Sequence, residues 1–148
     1  MKATRENHNY SACGLPLKNV EVRRCGECGE DEVVIPKIDQ LHQVIAMAVI
    51  AKRSRLTAAE VKFLRKYLGW SGADFARHMG VAPETVSRWE NEREPIGGTA
   101  DRLLRLMVAT RAPTRDYALD ALVELEDEAT PTRLKLAADR NGWHAEAA

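Results

Sequence analysis

Residues 81–97 read VAPETVSRWENEREPIG. Pro83 suits a first helical position, because the N–H it lacks is one that a helix start leaves unbonded anyway. Pro95 and the pair Gly97–Gly98 stop the run. Between these signals Val86 and Trp89 stand three apart and define one face. Glu84, Thr85 and Arg88 fall on the opposite face, with Ser87 beside them. A packing face thus separates from an exposed polar face, which is what a helix laid in a DNA groove requires. The difficulty is charge. The stretch carries Glu84, Glu90, Glu92 and Glu94, and the whole chain has a formal net charge of +0.

Moving outward, Ser71 with Asp74 predicts a capped helix start, followed by Phe75, Ala76 and Met79 on one side and Gly80 as a stop. Only Gly80, Val81 and Ala82 separate this helix from the next, which is the spacing of a helix-turn-helix. Upstream, Thr57 and Glu60 form a capping box ahead of Val61, Leu64 and Leu68, and Gly69 ends that helix. Downstream, Thr99 opens a further helix with Leu103, Leu104, Met107 and Val108 inward. Trp89 reads as core. Glu90 reads as the partner of an arginine such as Arg65 or Arg102, facing away from DNA, with Glu92 and Glu94 in the turn beyond.

The run WSGADFARHMGVAPETVSRWENEREPI resembles the helix-turn-helix of the Cro/C1 (XRE) repressor class in Ala76, Gly80-Val81, Thr85-Val86-Ser87 and Trp89-Glu90. More widely, CGLPLKNV, LHQVIA, LTAAEVKFLRKYLG and ADRLLRLM resemble the MqsA (YgiT-type) antitoxins, in which a zinc-binding N-terminal region precedes an XRE domain. This likeness covers residues 10–111. It implies that Arg88 reads bases; an arginine there can donate twice to guanine O6 and N7, worth about 1–3 kcal/mol of discrimination. Glu84 takes the position of a base-contacting polar residue. It would accept from cytosine N4, or else stabilise the positive end of the helix dipole. Thr85 and Ser87 are expected phosphate or base contacts, and Ser71 caps a helix whose first amides can meet a phosphate. Gly72 departs from the pattern, where a glutamine usually follows the cap. Arg93 is either a phosphate contact or a solvated loop charge.

Bulk charge does not exclude this reading, because a groove meets a local surface. Lys+Arg and Asp+Glu each number 22, but they are unevenly spread. Residues 41–68 carry Lys52, Arg53, Arg55, Lys62, Arg65 and Lys66 against Glu60 alone, whereas residues 112–148 carry four basic and eight acidic groups. Lys62, Arg65 and Lys66 are therefore expected near the nucleic acid. Aromatics make up only 5% of the chain, so a core of Leu, Val, Ile and Ala in helices is expected.

The expected fold is mainly α: an XRE-type helical domain over 57–111, preceded by a zinc-ribbon-like, β-containing region over 1–37 and a connecting helix over 38–56, and followed by a C-terminal helical extension over 112–148. In the first region LKNVEV and DEVVI read as short strands. Over 39–53 Asp39 caps, and Leu41, Val44, Ile45, Ala48 and Val49 form a stripe for packing within the chain or for a dimer or partner surface. Thr114–Glu128 reads as a helix, 130–140 as a last short helix, and NGWHAEAA as a frayed end.

Cys25-Gly-Glu-Cys28-Gly has the spacing of a zinc knuckle, and a structural zinc takes four ligands. Cys13 supplies a third sulfur, since Tyr10 stands where its knuckle partner would be, and His8 is the nearest fourth ligand. Three readings stay open: a zinc site, a ribbon that folds without metal, or a labile three-thiolate site. A thioredoxin-like enzyme lacks its βαβ surroundings. His8, His42, His78 and His144 form no constellation with a nucleophile or carboxylate pair, so no enzyme is expected. The N-terminus lacks an apolar leader, and the longest apolar run, VIAMAVIA, is far short of the roughly 18–20 residues of a membrane span. A cytoplasmic protein is expected.

These readings converge on a dimeric, sequence-specific repressor of double-stranded DNA. The resemblance implies the antitoxin of a toxin–antitoxin pair that controls its own operon and holds a small toxin. A free-standing regulator that senses metal or redox state, and a protein–protein adaptor whose helix pair no longer reads DNA, are the alternatives.

Overall fold

A computed structural model of the chain describes residues 2–10, 14–111, 125–126 and 128–147. Its elements, in order, are β1 (Lys2–Tyr10), β2 (Leu15–Arg24), β3 (Asp31–Val34), α1 (Ile38–Ala51), α2 (Ala58–Tyr67), α3 (Gly72–Met79), α4 (Pro83–Glu90), α5 (Gly98–Arg111), β4 (Leu134–Asp139) and β5 (Gly142–Ala147). They form two compact units. One gathers the residues up to Val44 with those from Arg133 onward; the other runs from Ile45 to Thr132.

The first unit is a five-stranded mixed sheet in which β2 pairs antiparallel with β1 and β3 and parallel with β4, and β4 forms a hairpin with β5. Strand β2 solves a parity problem in its own sequence. Its apolar residues are Leu15 and Leu17, then Val20 and Val22; strict alternation would turn the second pair outward. A register shift opposite Glu6–His8, with Asn19 at φ 60°, inserts one extra residue, so that all four are buried. This is the work of a β-bulge.

The C-terminal residues correct two expectations. Residues 130–140 are no helix: Leu134 and Leu136 are buried and Lys135 between them is exposed, the period of two that makes a strand. The end is no frayed tail. β5 pairs with β4 along its length, Trp143 is buried, and its indole N–H donates to the Pro36 carbonyl at 2.6 Å. Gly142 (φ 116°) lies against the Gln40 amide, whose Oε1 accepts from the Trp143 amide at 3.0 Å. Of the helix expected over Thr114–Glu128, residues 114–124 and 127 lie outside the described residues. Leu125, Glu126 and Glu128 are not helical, and the Glu126 amide and Glu128 carbonyl bond to Arg53 and Arg55. A C-terminal helical extension is thus replaced, where described, by sheet. Among the described residues the fold combines a helical domain with a five-stranded sheet.

The second unit packs α2–α5 with the second half of α1 around Ile45, Val49, Ile50, Leu56, Val61, Leu64, Phe75, Val86, Trp89, Leu104 and Val108. Of the α1 stripe, Leu41, Ile45 and Val49 are fully buried within the chain, and Val44 and Ala48 are half-buried. Thr57 and Glu60 form the capping box expected of them. Glu60 is itself buried, ion-paired with Lys52 and hydrogen-bonded by Thr132. Deeper still, Asp101 and Arg105 form an ion pair at 2.6 Å on α5, both essentially without solvent contact. The Arg105 guanidinium also donates to the carbonyls of Ile50, Lys52 and Ser54, and Asp101 accepts the Leu56 amide at 2.8 Å. Helix α1 has no basic residue in its last turn. Arg105 brings the missing cation from another helix to carbonyls at the end of α1 and in the segment after it.

Candidate nucleic-acid interface

Helices α3 and α4 make the helix pair. Ser71 caps α3: its hydroxyl accepts from the Asp74 amide, while the Asp74 side chain accepts from the Ser71 amide. Gly80 ends the helix in the left-handed region at φ 68°, ψ 32°, where a Cβ would be strained. Three residues later Pro83 starts α4. Phe75 and Ala76 of α3 and Val86 and Trp89 of α4 are all buried, and the Phe75 and Trp89 rings meet edge to face with centroids 6.2 Å apart. α3 therefore braces α4 through one face only.

A second brace is ionic. Arg65 of α2 donates to Glu90 at 2.5 Å and to the Trp70 carbonyl at 2.9 Å. Of the two arginines considered for Glu90, the fold brings up Arg65. The consequence reaches the basic group expected near nucleic acid. Lys62 and Lys66 are exposed, but Arg65 is mostly buried and occupied as a strut.

The expected reading face is solvent-exposed in large part. Glu84, Ser87, Arg88 and Arg93 are exposed, and Thr85 is half-buried. Ser87 is already engaged: the Asn91 amide group donates to its carbonyl at 2.8 Å and to its hydroxyl oxygen at 3.1 Å. Arg88 extends toward Glu94, with Nη1 and Oε2 3.8 Å apart. Neither Asn91 nor Glu94 figures among the residues expected to contact DNA from the sequence. An asparagine just past the last helical residue is a C-cap signal that could have found the first; Glu94 depends on how the turn folds back.

At the start of α3 the picture is mixed. The Ser71 hydroxyl donates to Asp74 at 2.8 Å, and Arg77 holds the same carboxylate at 3.0 Å. The Ser71 hydroxyl, then its amide, keep the Asp74 carboxyl below its ordinary range. A phosphate approaching the Gly72 and Ala73 amides would meet a fixed anion beside them. Gly72 itself faces open space, with nothing within 4 Å of an added Cβ, so packing does not forbid a side chain there. Trp70, just before the cap, stacks on His78 with ring centroids 4.0 Å apart, and the Arg111 guanidinium lies over the Trp70 ring, 5.8 Å from its centroid.

The cysteines belong to the other unit. The turn between β2 and β3 folds as a knuckle, with the Cys25 amide donating to the Glu30 carbonyl and the Gly29 amide to the Cys25 carbonyl. The Cys28 amide, then the Cys28 thiol and the Glu27 amide, draw the Cys25 thiol below its usual range. His8 does not join them. Lys2 pairs with Arg24, next to Cys25, whereas His8 pairs with Leu17, so six residues of strand, about 20 Å, separate His8 from the knuckle. Cys13 lies outside the described residues. Among the described residues no three His, Cys, Asp or Glu groups come together to hold a metal. The two thiols described make half of a four-ligand zinc site, and the register sets His8 apart from them.

Residues 61–107 match a helix-turn-helix family model. No curated protein and no solved structure matches the chain. The matched stretch runs from α2 into α5 and contains the whole helix pair. Fold, exposed polar face and family match together define the class: a helix-turn-helix domain of a DNA-binding transcription regulator, whose partner is double-stranded DNA. Among the described residues no helix is long and apolar enough to cross a membrane.

Proposed function

We propose that the chain is a sequence-specific repressor that binds a palindromic operator as a homodimer, and that it is the antitoxin of a toxin–antitoxin pair acting on its own operon. What carries the repressor reading is the exposed face of α4, where Arg88 projects into solvent while Val86 and Trp89 anchor the helix from behind. Arg88 would read guanine, Thr85 and Ser87 would contact bases or phosphates, and Arg93 a phosphate. Glu84 in the first turn of α4 serves the helix dipole and accepts from cytosine N4 where the operator offers it. Two such helices in adjacent major grooves require half-sites about 34 Å apart. The antitoxin role rests on the resemblance to the MqsA (YgiT-type) proteins, with the first unit as the surface that would hold a toxin.

The test is a footprint of the purified chain on DNA upstream of its coding sequence, with Arg88→Ala as control. A protected palindrome that vanishes in the variant supports the repressor reading; equal protection by parent and variant rules out Arg88 as the reader. Co-purification of a small neighbouring gene product would support the antitoxin role. One observation favours a second reading. The Cys25 thiol, acidified by the amides of its own turn, has the character of a reactive cysteine, which suits a regulator that responds to redox state.

A further inference from the structure

Helix α4 ends in a turn that is built with unusual care for an exposed loop. The Arg93 amide donates to the Arg88 carbonyl at 3.1 Å, and the Glu94 amide donates to the same oxygen at 3.3 Å. The first of these is the long bond of a Schellman motif, and Glu92 occupies its left-handed position at φ 60°. Glycine is the usual residue there, because a Cβ is strained in that region. Asn91 clamps the last turn through Ser87, and beyond the turn Ile96 is buried while its carbonyl accepts from Arg55 at 2.8 Å. The turn is pinned at both ends. Its geometry brings the Glu94 carboxylate back to within 3.8 Å of the Arg88 guanidinium, with both side chains about half exposed at 50% and 56%.

We infer that Glu94 is a specificity-determining residue, holding the Arg88 fork in place and opposing its capture by phosphates. The inference rests on the reading of Arg88 as a base contact. A lone arginine on a groove-facing helix is attracted to any DNA, since phosphate attraction is independent of sequence. A carboxylate beside it weakens that attraction everywhere along a duplex. It also limits the orientations of the fork. At a guanine the two aligned donors gain a geometry-dependent reward, O6 and N7 together, that no phosphate track offers. Glu94 therefore lowers binding to the wrong sites more than to the right one, a form of discrimination by repulsion.

The experiment uses the full chain and two duplexes: one selected from random-sequence DNA by the parent protein, and one of the same composition in scrambled order. Glu94→Gln should tighten binding to the scrambled duplex by about two- to five-fold, the range of exposed charge pairs. Its affinity for the selected duplex should change less, so the specificity ratio falls. Glu94→Asp, which keeps the charge, should retain most of the ratio. In an Arg88→Ala background the effect of Glu94→Gln on the scrambled duplex should disappear, because Glu94 acts through that arginine. A ratio that holds or rises in Glu94→Gln overturns the inference, and so does an effect that persists without Arg88, which would mark a general charge term. The failure of the parent reading looks different: Arg88→Ala by itself would then bind the selected duplex as tightly as the parent.

Discussion

Replacing Arg105 by methionine isolates the buried ion pair of the helical unit. The side chain is 0% exposed, and its partner Asp101 is 1% exposed. Methionine is of similar length and apolar, so little cavity is created; what is lost is the cation. Asp101 would then be left buried with only the Leu56 amide, and the carbonyls of Ile50, Lys52 and Ser54 would lose their donor. Removing one member of a buried pair typically costs about 3–5 kcal/mol. A domain has only some 5–15 kcal/mol to lose, so the variant should unfold at far lower urea or not fold at all. Arg105→Lys keeps the charge but cannot fork to a carboxylate and three carbonyls; a loss of about 2 kcal/mol is expected, with the fold retained. The assay is urea denaturation of the full chain followed by far-UV circular dichroism, which reads the helices. A loss below about 1 kcal/mol for Arg105→Met would refute the reasoning and mean that the segment after α1 is held by packing alone.

Three further expectations follow from particular contacts. In Gly142→Ala the new Cβ would meet the Gln40 amide and be held at a φ of 116°; a loss of about 1–3 kcal/mol should lower the melting temperature, and an unchanged melt would contradict the strain expected of a side chain there. Gly72→Gln restores the side chain usual in the resembling repressors where there is room for it, and one added hydrogen bond of about 1 kcal/mol should tighten DNA binding roughly five-fold in a fluorescence titration; unchanged affinity would mean that the start of α3 does not face DNA. The Asp74 carboxyl is held below its ordinary value, so its contribution to stability is fully present above the ordinary carboxylate pKa of 3.8 and is lost as the pH falls through the lower folded value. Asp74→Asn should flatten that acid limb in a pH series of thermal melts, and an identical limb in parent and variant would refute the assignment.

The helix pair was legible because its signals are local. Capping at Thr57 and Ser71, the left-handed Gly80 and the N1 Pro83 each act within a few residues, and Val86 and Trp89 mark the packing face by helical spacing alone. The C-terminal strands were not legible for the opposite reason. LKLAAD contains two leucines two apart flanked by good helix formers, and such a run folds either way until a neighbour offers backbone partners. β2 provides them through the parallel pairing of Leu17 with Leu136, more than a hundred residues apart in the chain. His8 was drawn toward the cysteines by sequence proximity, which says nothing about which end of a hairpin a residue occupies; the register places it six residues of strand from the pair next to Cys25.

What the sequence by itself determined is therefore the helix-turn-helix: where its helices start and stop, which face packs, and that Arg88 is left outside. Net neutrality never bore on that, because the charges that matter act at contact range. What only the tertiary structure decided is the pairing of groups distant in sequence or brought together by a turn. Arg65 rather than Arg102 takes Glu90, Arg105 caps carbonyls from another helix, two terminal strands complete a sheet, and Glu94 returns to Arg88. Capping and periodicity are written into neighbouring residues, whereas partners across the fold are chosen by the folded backbone that carries them.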